Sequence, residues 1–189
     1  MNAGRIIDDA IRSRRSVGRS EGEPSVEAIR ELIESASWAP NHHLTQPWRF
    51  TVLRGDARRE LGDFWARMRA AELELDAEKR EGFLKGESQK PLRAPVLIVV
   101  SVRTDDDPIV AEEDFAATAA AVQNLLLSAA ARGYAAMWRT GDMAYHPAVK
   151  AHLGLDPRER IVAFVYLGER ATATPQPTQR NEPAIRWRG

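Results

Sequence analysis

The stretch PVLIVVSV at residues 95–102 is apolar almost throughout and mostly β-branched. Such a continuous run is typical of a strand that is covered on both faces, so the sequence predicts a central strand here. Further along the chain, AATAAAVQNLLLSAAA at 116–131 is apolar nearly all round. A helix of that kind has to be buried, either in the core of the domain or against a partner chain.

Helices and strands alternate around these two elements. An apolar stripe predicts a first helix over 5–14, and Ser25 is a good N-cap for a second helix that Pro40 ends. Residues 57–90 are charged and helix-prone, and we interpret them as one or two surface helices rather than part of the core. Strands are predicted at 48–52, 95–102, 134–138 and 161–167. With neither repeats nor a linker, this order favours one α/β or α+β domain over residues 1–189, followed from Ala171 by an irregular tail.

The composition excludes several classes of function. The 189 residues include 27 Lys plus Arg, 27 Asp plus Glu and no cysteine. A chain without thiols has no disulfide, cysteine-ligated metal or cysteine nucleophile. A formal charge of zero argues against a general nucleic-acid-binding protein. Since no stretch approaches the roughly 20 apolar residues of a membrane span and the N-terminus lacks a secretory signal, we expect a cytoplasmic protein without nucleic-acid or membrane partners.

The sequence predicts neither a metal site nor a catalytic side chain. The common dinucleotide-binding, phosphate-loop, zinc-protease and serine-hydrolase signatures are absent. His42 and His43 are adjacent and are expected to point in different directions, while His146 and His152 are badly spaced for one helical face. We therefore expect no metal ion and name no catalytic residue.

Three short segments carry polar groups that could contact one ligand. Arg14-Arg15-Ser16, at the predicted end of the first helix, offers two guanidiniums and a hydroxyl to a phosphate, but a solvated basic helix end explains it as well. The loop from Asn41 to Gln46 suits recognition of a heteroaromatic edge or is an ordinary polar connection. Trp138-Arg139-Thr140 offers a flat wall and a cation, or is a packed Trp beside a surface Arg. Taken singly, none of these segments distinguishes a ligand-binding site from an ordinary surface or core feature.

Taken together, in this order and spacing, the segments resemble the nitroreductase family of FMN-dependent oxidoreductases, most closely its small single-domain bacterial members. The resemblance runs from about Ile6 to Leu167 and includes the Ala-Pro that ends the second helix, the Gln-Pro-Trp before the first predicted strand and the long alanine-rich helix. It implies an α+β fold with a mixed sheet flanked by helices. It also implies an intertwined homodimer that binds two FMN molecules.

The resemblance implies two groups of flavin contacts. In the first group, Arg14, Arg15 and Ser16 hold the phosphate and the ribityl chain. The same subunit contributes three residues that follow the alanine-rich helix, namely Trp138, Arg139 and Thr140. The second group reaches the same flavin from the partner subunit and consists of Trp38, His42 and the loop through Gln46.

Two positions depart from the family pattern. Many members carry a basic residue two positions after the serine, where this chain has Gly18, and many have Asn where it has Leu44. Reduced FMN is anionic, and a nearby positive charge stabilises it and raises its potential. Another group must therefore supply that charge. We expect it to be Arg139 or, as the second choice, protonated His42.

The resemblance implies an NAD(P)H oxidoreductase with ping-pong kinetics. NADH or NADPH delivers hydride to flavin N5, and a nitroaromatic, quinone or similar acceptor then takes the electrons in the same pocket. Residues Leu61–Phe83, with Phe64, Trp65, Arg67 and Met68, are expected to help form the lid of that pocket. A flavin-dependent dehydrogenase, a flavin-consuming enzyme or a non-catalytic flavin-binding protein on the same fold remain alternatives, as does a helical interaction module without a cofactor.

Overall fold

The computed structural model describes residues 3–73, 75–173, 175 and 178–189. Residue 74 of the predicted lid and residues 174 and 176–177 of the tail lie outside the described residues. The helices are α1 (Ala3–Ser13), α2 (Val26–Ser37), α3 (Asp56–Glu72), α4 (Ala77–Ser88), α5 (Pro108–Ala131), α6 (Gly141–Tyr145) and α7 (Pro147–His152), with a 3-10 turn at Lys90–Arg93. The strands are β1 (Ser20–Glu21), β2 (Trp48–Arg54), β3 (Val96–Arg103), β4 (Ala135–Arg139), β5 (Glu159–Gly168) and β6 (Arg170–Ala171).

The main sheet has the strand order β2-β3-β5-β4, and β1 pairs with β6 in a separate small ribbon. The α+β class with helices on both faces is confirmed. The sheet differs from the mixed one that was expected, because each of its three pairings among the described strands is antiparallel. Helices α3 and α4 connect β2 to β3, and since these strands are antiparallel, the chain re-enters the sheet at the same end at which it left. In contrast, β3 and β4 are joined by the single long helix α5 and run in the same direction, but β5 lies between them.

The predicted central strand is confirmed. Seven of the eight residues of β3 are buried, and its two faces contribute to two different apolar clusters. Helices α2 and α5 cover one face, where Leu32, Val122 and Leu125 are buried against the sheet. Ser25 caps α2 as predicted, since its hydroxyl accepts a hydrogen bond of 3.1 Å from the backbone N–H of Ala28.

The prediction that residues 57–90 form only surface helices is wrong. Leu61, Trp65, Ala66 and Ala70 of α3 are buried, and Leu61 and Trp65 belong to the cluster on the second face of the sheet. Charged residues cover the outer side of α3 so densely that its narrow apolar stripe does not stand out in the sequence. Gly62 lies so close to the backbone of Ser88 that a Cβ atom there would clash, and this contact joins α3 to α4.

Helix α1 leaves its apolar stripe uncovered within one chain. Ile6, Ile7 and Ile11 are at least half exposed, and the tail presents Ile185 and Trp187, of which the tryptophan is 88% exposed. Contiguous exposed apolar side chains are typical of a contact surface rather than of a surface in water. No helix among the described residues is long and apolar enough to span a bilayer.

Candidate functional site

The segment that follows α1 lies along the edge strand β4. The N–H of Arg14 donates to the carbonyl of Ala10 (3.1 Å) in the last turn of the helix, and the N–H of Val17 donates to the carbonyl of Ala136 (3.1 Å) in β4. These two hydrogen bonds fix the course of the chain between them. Arg14, Arg15 and Ser16 therefore lie beside the edge strand β4 of the sheet.

Arg14 and Arg15 line a cavity of about 420 Å³, which we call the helix-end cavity. Arg12 and Arg180 line it as well, and none of the described residues in its wall is acidic. Arg15 also donates to the carbonyl oxygens of Arg12 (2.6 Å) and Arg14 (3.0 Å), which stabilises the C-terminal end of the helix. Four arginines and no acidic residue line this cavity within the described part of the chain, so its charge favours an anion.

A second cavity of about 380 Å³, the turn cavity, lies next along the same segment. Its described lining contains Ser16, Gly18 and three arginines, Arg19, Arg93 and Arg139, and it contains no acidic residue. A Cβ atom on Gly18 would meet nothing within 4 Å, so this wall is open. The structure thus brings Arg139 to the cavity that Gly18 borders, and it adds Arg93 and Arg19.

Arg139 also borders a third cavity of about 270 Å³, the side cavity, together with Thr140, Trp65 and Tyr166. Among the described residues, none forms an ion pair or a hydrogen bond with the Arg139 guanidinium. Burial raises the pKa of the Tyr166 phenol, while the positive charges of Arg93 and Arg139 oppose that shift. Arg93 and Arg139 both line the turn cavity, and their charges also reach Tyr166 in the wall of the side cavity.

Of the residues expected in the lid, Trp65 alone lines one of these three cavities within the described part of the chain. Its indole N–H donates to Glu87 (2.6 Å), which holds the ring at the wall of the side cavity. Phe64 instead stacks on His152 at 4.1 Å, and Met68 packs against the buried cluster around α3. Arg67 is exposed.

Trp138 does not join Arg139 at the cavities. Neighbouring residues of a strand point to opposite faces of the sheet, so Trp138 packs against the cluster under α2 and α5. Its indole N–H donates to the carbonyl of Val162 at 3.1 Å. In this structure Trp138 is a partly buried residue that packs against the core at the edge of the sheet, and its flavin contact stays a prediction.

The loop Asn41–Gln46 is held by a buried carboxylate of α5. Asp114 is 3% exposed, and its Oδ1 accepts hydrogen bonds from the Thr45 hydroxyl (2.6 Å) and from the Asn41 side-chain amide (3.3 Å). The Asn41 Oδ1 in turn accepts from the backbone N–H of Gln46 at 2.8 Å. These bonds join both ends of the loop to one point on the long helix.

Two residues of this loop have a left-handed backbone. The φ angles of Leu44 and Gln46 are 53° and 45°, and neither residue is glycine. Asparagine tolerates this region better than leucine does, so the departure at Leu44 costs conformational energy. Strain of this kind persists where surrounding contacts fix the backbone, as the Asp114 hydrogen bonds do here.

The expected partner-facing residues lie apart from the arginine-lined cavities. Trp38 caps the C-terminus of α2 and is 81% exposed, and His42 and Gln46 are exposed on the loop. None of these three lines the helix-end, turn or side cavity. Within one chain the two groups therefore form two separate surfaces.

The two adjacent histidines do not point apart as predicted. Their ring centroids are 4.5 Å from each other, and His43 Nε2 lies 2.9 Å from Oε2 of Glu113. The prediction assumed the alternation of an extended chain, whereas residues 42 and 43 lie in a turn. Sequence reasoning also missed Asp114, Arg93 and Arg180, whose neighbours are distant along the chain.

Comparisons with known proteins agree with this geometry. The sequence matches the model of the nitroreductase family over residues 11–169. A Bacillus subtilis protein named "Putative NAD(P)H nitroreductase YfhC" is 31% identical over 166 residues, which cover 86% of this chain and 84% of the relative.

Two solved structures show the same fold. A nitroreductase-like family protein from Bacillus cereus is 31% identical with a TM-score of 0.81, and the match covers 93% of this chain and 91% of that one. A Desulfovibrio desulfuricans protein solved in complex with FMN is 28% identical with a TM-score of 0.67, over 95% and 98% of the two chains. With a family match over most of its length and a relative of 31% identity, this chain belongs to the nitroreductase family.

Proposed function

We propose that this protein is an FMN-dependent NAD(P)H oxidoreductase that reduces a nitroaromatic, a quinone or a similar small acceptor. The observation that carries the proposal is the pair of arginine-lined cavities beside β4, whose described walls contain no acidic residue. The family relatives support the same activity, since one carries an NAD(P)H nitroreductase name and another was solved with FMN.

The side chains of the two cavities fit the chemistry of FMN. Its phosphate carries close to two negative charges, and planar guanidiniums bind phosphate oxygens in a bidentate way. Arg14, Arg15 and Arg180 provide such groups in the helix-end cavity. Ser16 adds a hydroxyl to the wall of the turn cavity, along which the ribityl chain would pass.

The turn cavity offers the positive charge that Gly18 does not carry. Arg93 and Arg139 both line it, and Arg139 is free of ion pairs within the described residues. We place the pyrimidine edge of the flavin ring beside these guanidiniums, which would stabilise negative charge on the ring. Thr140 would lie at the adjacent turn. Bound FMN supplies the redox chemistry, accepting hydride from NADH or NADPH and passing electrons to the acceptor. The residues of the chain bind and orient FMN and exclude water from it. No acidic or basic side chain has to transfer a proton.

We propose a homodimer whose second subunit completes each site. The uncovered stripe of α1 and the 81% exposed ring of Trp38 are surfaces that a second copy would cover. In that assembly Trp38, His42 and Gln46 approach the flavin that the partner's arginines hold. This arrangement explains why the two groups are separate within one chain.

Anaerobic stopped-flow spectroscopy of the purified, FMN-loaded protein tests the proposal. We expect NADH, NADPH or both to bleach the oxidised flavin, and a nitroarene or a quinone to restore its absorbance. If neither nucleotide bleaches the flavin, the protein belongs to the flavin-binding or flavin-consuming alternatives. A colourless monomer that takes up no added FMN would contradict the flavin site as well.

The Arg139→Ala variant tests the assignment of the ring-side charge. We expect a lower FMN midpoint potential or a lower FMN occupancy, because the variant removes a cation that stabilises the anionic reduced ring. The Arg103→Ala variant is the control, since Arg103 is exposed at the end of β3 and lines neither the helix-end cavity nor the turn cavity. If potential, occupancy and turnover of Arg139→Ala all equal those of the wild type, the assignment is wrong.

A further inference from the structure

Two imidazoles and one carboxylate meet where the loop Asn41–Gln46 lies on α5. Each of His42, His43 and Glu113 offers one ligand atom, and these atoms all lie within 4.8 Å of one another. The two rings are tilted by 59° with centroids 4.5 Å apart, and His43 Nε2 is 2.9 Å from Glu113 Oε2. The flavin site proposed above uses His42 alone of these three residues.

The carboxylate in this cluster has an unsatisfied oxygen. The Glu113 Oε2 atom is shielded from solvent, although the side chain as a whole is 40% exposed, and it accepts no hydrogen bond from the residues that the structure describes. His43 Nε2, 2.9 Å away, forms an ion pair with it only when the imidazole is protonated. A buried carboxylate oxygen without a donor is unfavourable unless a cation compensates its charge. A metal ion between the imidazoles and this oxygen would supply that compensation.

The scaffold of the cluster is already ordered. Asp114, the next residue of α5, fixes the loop through Thr45 and Asn41, so His42 and His43 are held over Glu113. The loop and the helix also form the walls of a cavity of about 480 Å³ that His42 and Glu113 line. Side-chain rotations rather than backbone movements are then enough to assemble a coordination sphere, which lowers the entropic cost of binding.

We propose that His42, His43 and Glu113 bind a divalent metal ion of the zinc type. Two imidazole nitrogens and one carboxylate oxygen form a common three-ligand zinc set, with water in the fourth position. Tetrahedral coordination at usual bond lengths places ligand atoms about 3.4 Å from one another. The ligand atoms lie within 4.8 Å of one another here, so the longer separations would shorten, while the 2.9 Å between His43 Nε2 and Glu113 Oε2 would widen slightly. The side chains of His43 and Glu113 are 43% and 40% exposed, which leaves an entry path for the ion.

Isothermal titration of Zn²⁺ into the tag-free protein tests the site. We expect one ion per chain with micromolar affinity and no heat from Mg²⁺ at the same concentration, because imidazole ligands do not suit magnesium. The variants His43→Ala and Glu113→Gln should each weaken Zn²⁺ binding by roughly tenfold or more. The wild-type melting temperature should rise with Zn²⁺, since the ion binds the folded chain.

Two control variants make the result specific. Glu112→Gln makes the same chemical change one residue earlier on α5, and His152→Gln removes an imidazole outside the cluster. Both should bind Zn²⁺ as the wild type does. If Glu113→Gln and Glu112→Gln bind equally well, or if the wild type binds no Zn²⁺ in this range, the metal site is overturned.

A further titration links the ion to the flavin, and this arm alone rests on the proposed function. Because His42 would serve both as a metal ligand and as a flavin contact, saturating Zn²⁺ should weaken FMN binding by the wild type but not by Glu113→Gln. If Zn²⁺ binds at the cluster and leaves FMN affinity unchanged, the flavin contact of His42 is wrong, and the metal site is not affected by that result.

Discussion

The arginine-lined cavities and the loop Asn41–Gln46 are both rich in polar side chains, but they differ in whether those side chains have partners within the chain. In the cavities, Arg93 and Arg139 face open space, and none of the described residues forms an ion pair with either of them. In the loop, the side chains of Asn41 and Thr45 are hydrogen-bonded to the buried Asp114. Unpaired cations around a cavity indicate a ligand, whereas a satisfied buried network indicates positioning.

Backbone geometry shows the same difference. The arginine segment follows ordinary helix and sheet-edge hydrogen bonds, so its conformation costs little. The loop has two left-handed residues that the Asp114 network stabilises. Substitutions in the first region should therefore change ligand affinity, and substitutions in the second should change stability.

The largest expected effect is on FMN affinity in the Arg14→Ala variant. Removal of one charge-assisted hydrogen bond to the phosphate should cost about 1.5–3 kcal/mol, which corresponds to roughly 10- to 150-fold weaker binding. Fluorescence titration of FMN measures this, and the melting temperature of the apoprotein should change little. The matched control is Arg67→Ala, which removes an exposed guanidinium of α3 and should leave FMN affinity unchanged. Equal affinities of the two variants would contradict a phosphate site in the helix-end cavity.

The Asp114→Ala variant should have the largest effect on stability. It leaves the Asn41 amide and the Thr45 hydroxyl without their acceptor and releases a strained loop, so we expect the free energy of unfolding to fall by about 1–3 kcal/mol. Urea denaturation measures the change. Asp114→Asn keeps an acceptor oxygen and should lose less, while Glu112→Gln should have no effect. An alanine variant as stable as the wild type would show that the loop does not depend on this carboxylate.

The strongest sequence patterns were those of elements buried on several sides. The runs at 95–102 and 116–131 became the central strand and the long core helix, because burial removes charge from every position of a strand and from most positions of a helix. The buried face of helix α3 was not recognised in the same way, because charged residues such as Glu60, Asp63 and Arg67 are interspersed with its buried Leu61 and Trp65.

The contacts that shape the site have no local pattern in the sequence. Asp114 is 73 residues from Asn41, and Arg93 reaches the cavity of Gly18 only because the sheet brings the end of the 3-10 turn beside β4. The arginine and loop segments were found as motifs, and their placement beside two different surfaces follows from the fold. The motif did not predict the direction of Trp138, because alternation along the strand places its ring on the opposite face from Arg139.

A smaller stabilising effect is expected at Leu44. Asparagine adopts a left-handed backbone more easily than leucine, so Leu44→Asn should raise the free energy of unfolding by up to about 1 kcal/mol. Leu73→Asn is a matched control, since Leu73 is also an exposed leucine but has a φ angle of −86°. If both substitutions change stability equally in urea denaturation, the backbone of Leu44 is not strained.

The smallest expected effect is the response of Tyr166 to the cavity cations. Burial holds its folded pKa above the ordinary value, and the positive charges of Arg93 and Arg139 lower it. Because the folded pKa is raised, the associated stability is fully present below about pH 10 and is lost as the pH rises through the folded pKa. In Arg139→Ala the tyrosinate absorbance assigned to Tyr166, by difference from Tyr166→Phe, should appear at higher pH than in the wild type. Arg103→Ala should leave it in place, and an identical titration in Arg139→Ala would mean that the charge of Arg139 does not reach the side cavity.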